Sequence, residues 1–170
     1  MDDIDDALAN KRYVLFYQPR FSTTTGKIVA AEALVRLIKK NGDITDPIPP
    51  SKFISLFENN GLIARLDEYV FKMVCAQQKQ WLEKGLAIVP ISVNLSQASL
   101  LNMEIVKKYA QYRDSAHIPP QSVDLEITES ATALNIDLKL LIEKFHEHGF
   151  EIFLDDFGTG YSSLSTLNTM

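Results

Sequence analysis

The sequence has 170 residues, 46% of them hydrophobic and 23% charged, and its 17 basic and 22 acidic side chains give a net charge of −5. This is typical of one globular domain with a sizeable core, and the negative charge argues against a nucleic-acid polymer as the main partner. No apolar stretch approaches the roughly 20 residues that span a bilayer, and the acidic start MDDIDDALAN is unlike a signal peptide. A cytoplasmic location is therefore expected, with the lone Cys75 as a reduced, buried thiol.

The first half of the chain predicts two strands followed by two helices. The expected strands cover 13–19 and 27–36, and the expected helices cover 52–60 and 62–84. Pro19 is expected to end the first strand, because proline has no N–H for a sheet. Ser51 is expected to cap the short helix, and Gly85 to end the long one.

The second half repeats a rhythm of strand, loop and helix. The expected strands cover 87–96, 122–130 and 151–157, and the expected helices cover 103–114, 136–148 and 162–167. Strands that are apolar on both faces and alternate with helices favour a parallel sheet covered by helices. Both a doubly wound sheet and a (β/α) barrel satisfy this pattern, and both place ligands at the carboxyl ends of the strands.

Polar residues are expected at the carboxyl ends of these strands, in or just after the apolar runs, where a structural argument would prefer Val or Ile. They are Gln18, Glu32 with Arg36 beyond it, Asn94, Glu126 with Glu129 beyond it, and the adjacent Asp155 and Asp156. Unpaired carboxylates this close together would repel and take up protons unless a cation holds them. Carboxylate and amide oxygens suit hard divalent ions. Two such ions ~3.5–4 Å apart are a recurrent arrangement for phosphoester hydrolysis, in which one Asp can bridge both ions.

Each of these residues also has an ordinary structural explanation. A single Asp or Glu at a strand end is commonly a helix cap or a salt-bridge partner. Arg36 can pair with an acidic neighbour as well as with a phosphate. The turn DFGTG, taken alone, suits any tight loop. The metal-site hypothesis therefore depends on several strands carrying such residues together.

Five motifs in order along the chain resemble one family, the EAL domain of bacterial cyclic di-GMP phosphodiesterases. The motifs are YQP, EALVR, SVNLS, LEITES and DDFGTGYSSLS. The resemblance covers nearly the whole chain and identifies 1–170 as a single partial EAL domain. It implies an α/β fold, an incomplete TIM-like (β/α) barrel with about five of eight strands, and a first strand antiparallel to the rest.

The resemblance also implies a role for each matching residue. Glu32, Asn94, Glu126 and Asp155 would hold a first Mg²⁺ or Mn²⁺ ion, and Asp155 and Asp156 a second. The catalytic residues implied are Glu32, Asp155 and Asp156, and the substrate contacts implied are Gln18, Leu34 and Arg36. The substrate would be cyclic di-GMP, opened to linear pGpG. The loop through Gly160 and Ser163 would couple dimerisation to metal binding.

The family's barrel continues beyond the part that these 170 residues match. A lysine on its sixth strand and a glutamate on its seventh, which activate the water and complete the second metal site, have no matching position here. Loss of such groups is expected to reduce turnover strongly, at ~10²–10⁴ per general-base group. An open sheet is also expected to associate into a homodimer or higher oligomer through its exposed edges.

Three functions remain as alternatives at this point. The first is a phosphodiesterase domain that hydrolyses cyclic di-GMP in its complete form. The second is a receptor that binds cyclic di-GMP without cleaving it. The third is a signalling fragment that binds a partner protein through its edges. The complete first metal-ligand set favours the first of these for the parent protein.

Overall fold

A computed structural model describes residues 4–39, 42–128, 134 and 136–155 of the chain. Its strands are β1 (Tyr13–Phe21), β2 (Ile28–Leu37), β3 (Ile91–Leu95), β4 (Val123–Thr128) and β5 (Ile152–Asp155). Its helices are α1 (Ile4–Ala9), α2 (Ile54–Asn59), α3 (Ile63–Glu83), α4 (Gln97–Leu100), α5 (Ile105–Ala116) and α6 (Leu138–Glu147). The 3₁₀ turns Pro50–Lys52 and Pro120–Ser122 precede α2 and β4.

The strands form one sheet in the order β1-β2-β3-β4-β5. The hairpin of β1 and β2 is antiparallel, and β2 to β5 are parallel, joined by helical crossovers. A doubly wound sheet reverses its strand order at a switch point, whereas this sheet keeps chain order throughout. Within the described residues β1 and β5 form the two edges, so the barrel is not closed. The predicted α/β fold, a partial (β/α) barrel with an antiparallel first strand, is confirmed.

The two faces of the sheet differ in chemistry, because side chains along a strand alternate between faces. One face packs on the helices and is apolar: Ile91, Val93, Val123 and Leu125 are each fully buried there. The opposite face, called the inner face below, carries polar residues at the intervening positions. The expectation that these strands are apolar on both faces is therefore wrong.

The long helix α3 organises the helical layer. Its buried side chains include Phe71 and Val74, and its Gln78 Nε2 donates to the carbonyl oxygens of Val89 at 2.8 Å and Ser122 at 3.0 Å. These bonds join α3 to the segments that lead into β3 and β4. Cys75 is buried on the same helix, as expected, and burial raises the pKa of its thiol to about 12. None of the described helices combines the length and apolarity needed to cross a membrane.

Asp67 joins α3 to the start of α4, immediately after β3. Its carboxylate accepts hydrogen bonds from the Ser96 N–H at 2.9 Å, the Ser96 hydroxyl at 2.5 Å and the Ser99 hydroxyl at 2.7 Å. Ser96 is also the N-cap of α4, accepting from the Ser99 N–H. The turn after β3 is thus held in place by a buried carboxylate on the long helix.

Several boundaries differ from the sequence-based predictions. β1 runs through Pro19 to Phe21, because an edge strand has no second neighbour that needs the missing N–H. Ser51 is not a helix cap; it lies inside the 3₁₀ turn that Pro50 begins. β3 begins only after Pro90. The helices α1 and α4, of six and four residues, are too short to show a periodic pattern and were not predicted.

Some predicted features lie outside the described residues. They are Glu129, Asp156, the loop with Gly160 and Ser163, and the helix over 162–167.

Candidate functional site

The inner face of the sheet collects most of the residues singled out in the sequence. The strand register places Gln18 beside Glu32, Glu32 beside Ser92, and Asn94 beside Glu126. The inner-face polar residues among those described are Gln18, Arg20, Glu32, Arg36, Ser92, Asn94, Asp124, Glu126, Thr128 and Asp155. Glu32 and Gln18 lie well inside their strands, so the expectation that they lie at the carboxyl ends is wrong for both.

Glu32 and Asn94 are in direct contact across two neighbouring strands. The amide Nδ2 of Asn94 donates to Glu32 Oε1 at 2.9 Å. This bond directs the Asn94 side chain toward the carboxylate, and Oδ1 is the atom with which an asparagine ligates a hard cation. Two of the predicted metal ligands are therefore brought together by the sheet itself.

Glu126 joins this group through a residue that the sequence did not single out, Arg20. Arg20 follows Gln18 by two positions on β1 and therefore shares its face. Its Nη2 contacts Glu126 Oε1 and lies 3.8 Å from Glu32 Oε2, and its Nη1 donates to the Ser92 hydroxyl at 3.3 Å. Glu126 is only 3% exposed, so this contact pairs a buried carboxylate with a guanidinium.

Asp155 ends β5 on the same face. It lies beside Thr128, two positions further toward the carboxyl ends than Phe153, the neighbour of Glu126. The register thus puts Asp155 diagonally across from Glu126. Asp156 lies outside the described residues. Among the described side chains no three from His, Cys, Asp and Glu form a group that could hold a metal ion.

The expected substrate contacts lie on the inner face or beside it. Leu34 and Arg36 follow Glu32 at alternate positions of β2. The Arg36 guanidinium lies 5.9 Å from the centre of the Phe16 ring, and its Nη1 donates to the Val35 carbonyl at 2.9 Å. Among the described residues it forms no ion pair, so the alternative that it pairs with an acidic neighbour finds no support there.

An apolar cavity of about 280 Å³ opens next to these residues. Leu34 and Asn94 line it together with side chains of α2 and α3, including Ile54 and Val70. Its position connects the predicted substrate side of β2 with the predicted metal ligand on β3.

Asp124 adds a further carboxylate to the inner face, two positions before Glu126 on β4. Burial raises its pKa to about 6, and the negative charges of Glu151 and Glu126 add to this, while Arg20 lowers it. Asp124 is 6% exposed. This part of the inner face therefore carries more buried acid than base, which is a setting that favours cations.

The residues missed in the sequence were detectable from alternation alone. Arg20, Ser92 and Asp124 each stand two positions from a residue that was found, and hence on the same face.

The donor atoms present suit a hard divalent cation. Glu32, Asn94 and Glu126 offer carboxylate and amide oxygens on adjacent strands, and the buried Glu126 already faces a positive charge. The chemistry of this set fits Mg²⁺ or Mn²⁺.

Comparison with known proteins gives a family model and several relatives that match nearly the whole chain. A family model for the EAL domain matches residues 1–170. The chain is 38% identical over 162 residues to the cyclic di-GMP phosphodiesterase PdeR of Escherichia coli, covering 95% of this chain and 24% of PdeR. It is 35% identical over 163 residues to the signaling protein YkoW of Bacillus subtilis, covering 95% of this chain and 20% of YkoW.

One solved structure supports the same relationship. It is the PaMucR phosphodiesterase in complex with c-di-GMP, which superposes with a TM-score of 0.86 at 33% identity and covers 99% of this chain and 67% of that one. The chain spans about a fifth to a third of the length of the curated relatives it matches.

Proposed function

Because this chain belongs to the EAL domain family, we propose that it binds cyclic di-GMP and, in the protein it is part of, hydrolyses it to linear pGpG. The name of PdeR and the ligand of the PaMucR structure support this substrate. The net charge of −5 supports a ligand that is held with the help of cations rather than by a basic surface. We place this activity in the cytoplasm.

The metal ligands proposed are Glu32, Asn94, Glu126 and Asp155 for one Mg²⁺ or Mn²⁺ ion, and Asp155 and Asp156 for a second. Bound there, such ions would polarise the phosphodiester and lower the pKa of a water nucleophile. The chain's own contribution is to hold oxygen donors from neighbouring strands at one place on a rigid sheet. The Asn94 to Glu32 hydrogen bond supports this proposal, because through it one proposed ligand would orient the other.

The substrate contacts proposed are Gln18, Leu34 and Arg36. Gln18 lies beside Glu32 in the hairpin register, and Leu34 and Arg36 continue the same face of β2. Arg36 carries the charge and fork geometry that suit a phosphate. These residues would orient the dinucleotide over the metal ligands.

The observation that carries this proposal is the joining of Glu32, Asn94 and Glu126 on three parallel strands. Asn94 bonds to Glu32, and Arg20 bridges Glu32 and Glu126. Residues so far apart in sequence meet here through contacts of nitrogen donors with the two carboxylates, on one face of the sheet.

The test is to incubate the 170-residue chain with cyclic di-GMP and Mg²⁺ or Mn²⁺, separating substrate from pGpG by chromatography, and to measure ligand binding by calorimetry. Glu32→Gln removes a ligand charge and is expected to lower metal-dependent binding and product formation by about 10–100-fold. Asp46→Asn makes the same chemical change at an exposed site, paired with Lys39, and is expected to change neither.

Each result of this test has a definite meaning. A pGpG peak that depends on Glu32 supports hydrolysis at this site. Binding that depends on Glu32 without product supports the nucleotide site and shows that the chain alone is a receptor. Absence of binding from folded protein, or equal activity of Glu32→Gln and wild type, contradicts the proposal.

A further inference from the structure

The inner face places two carboxylates around one guanidinium. Glu126 is 3% exposed and Glu32 22% exposed, and Arg20 contacts the first and lies 3.8 Å from the second. Two carboxylates that both lie within 4 Å of one guanidinium would repel each other if no cation stood between them. Arg20 therefore offsets this repulsion and holds both carboxylates in place in the metal-free protein.

The position of Arg20 allows its side chain to move away from the two carboxylates. Its side chain is 40% exposed, on a strand that forms the edge of the described sheet. Its hydrogen bond to the Ser92 hydroxyl is long, at 3.3 Å, and therefore restrains it weakly. A guanidinium on a flexible stem can move without any change in the backbone.

A third carboxylate, that of Asp124, lies near enough to Arg20 to interact with it electrostatically. Asp124 shares the inner face with Glu126, is two positions nearer the start of β4, and interacts electrostatically with Arg20. Asp124 sits beside Ser92 in the register, and Ser92 already bonds to Arg20. A short movement of the Arg20 guanidinium past Ser92 would thus replace its contact with Glu126 by a contact with Asp124.

We propose that Arg20 is an internal counterion of the metal ligands, which holds Glu32 and Glu126 in the metal-free protein and must withdraw from them before they can bind a divalent cation. The inference rests on the proposed metal role of these two residues. Arg20 is a positioning residue: it touches neither substrate nor metal, and it sets the concentration at which the metal binds.

This role has two opposite consequences for a variant without the charge. Removing Arg20 leaves two carboxylates unneutralised, so the metal-free protein loses stability. The same change removes a competitor, so a divalent cation binds more tightly. A residue with only a structural role would lower stability and metal affinity together.

The experiment compares wild type with Arg20→Gln, Arg20→Lys and Lys79→Gln, using Mn²⁺ alone without nucleotide. Lys79→Gln changes the net charge equally on α3, where Lys79 pairs with Glu83. Mn²⁺ affinity is measured by calorimetry, and thermal unfolding is measured in a chelator. Arg20→Gln is expected to lower the Mn²⁺ Kd at least about tenfold, or about 1.4 kcal/mol, and to unfold at a lower temperature. Lys79→Gln is expected to match wild type.

Arg20→Lys keeps the positive charge but loses the planar fork of the guanidinium. Its Mn²⁺ Kd is expected to lie between those of wild type and Arg20→Gln. It also decides the matter if Arg20→Gln does not fold, since a Kd at or above that of wild type would then overturn the proposal. The same result for a folded Arg20→Gln, while Glu32→Gln weakens Mn²⁺ binding as expected, overturns the Arg20 role alone. If no protein binds Mn²⁺, the metal site itself is wrong, and this inference with it.

Discussion

Glu68 on α3 accepts three donors with a single carboxylate. Lys72 Nζ lies 2.6 Å and the Tyr112 hydroxyl 2.6 Å from Oε1, and Lys108 Nζ lies 2.5 Å from Oε2. Partial burial alone would raise its pKa, but these hydrogen bonds and the charge of Lys72 outweigh burial and lower the pKa to about 2. Because Lys108 and Tyr112 belong to α5, this residue joins two helices.

The low pKa of Glu68 predicts a pH-dependent contribution to stability. A carboxylate whose pKa falls on folding stabilises the protein above its unfolded pKa, near 4.5, and loses that contribution as pH falls toward 2. Glu68→Gln is expected to lower the free energy of unfolding by about 1 kcal/mol at pH 7. The difference between the two proteins, measured by urea unfolding, should stay constant from pH 7 to 5 and shrink by pH 3. A difference that does not change with pH would contradict the prediction.

At the scale of elements, two helices end on glycines that look alike in sequence but differ in their surroundings. Gly85 after α3 has a φ of +71°, and Gly149 after α6 has a φ of +81°. A Cβ on Gly85 would meet nothing within 4 Å, whereas a Cβ on Gly149 would lie 2.9 Å from Pro120 Cβ. The end of α6 is therefore packed against the turn that leads into β4.

This difference makes the two glycines a matched pair. Gly85→Ala carries only the backbone penalty of a left-handed residue, about 1 kcal/mol. Gly149→Ala carries that penalty and an overpacked contact, which adds ~1–3 kcal/mol. Urea unfolding followed by circular dichroism measures both losses. Equal losses would show that the turn at Pro120 shifts to accommodate the added methyl group without lowering the free energy of unfolding.

At the scale of the whole molecule, the described sheet ends in two edge strands, β1 and β5. The inner face exposes aromatic side chains near each edge, Phe16 on β1 (38%) and Phe153 on β5 (44%). Edge strands with apolar neighbours pair readily with another chain. The homodimer or higher oligomer expected from the sequence stays a prediction, and the structure supplies residues with which to test it.

The 170-residue chain, expressed by itself, is expected to sediment as a dimer or larger species at micromolar concentration. Phe153→Lys places a charge on the inner face at the β5 edge and is expected to raise the monomer fraction. Leu101→Lys, at the end of α4, places the same charge on an exposed apolar side chain (60%) away from both edge strands and serves as the control. A wild-type monomer in sedimentation velocity would refute the prediction.

The local pattern of the sequence determined much of this protein. Apolar runs and intervening helical segments indicated the strands and the helical layer, since each element has its own spacing of buried residues. The motifs around Glu32, Asn94 and Glu126 indicated the family and the candidate ligands. The spacing of apolar residues and the motifs each involve residues close together in sequence, so both can be recognised without knowing the fold.

The meeting of those residues was decided only by the tertiary structure. Asn94 and Glu32 are 62 positions apart, and Arg20 and Glu126 are 106 apart. A strand's pattern tells which face a residue takes but not which neighbour it meets, because the register depends on how α3 and the other helices pack against the sheet. For this reason the sequence indicated the carboxylates of the site, and the fold alone identified Arg20 as the cation that they share.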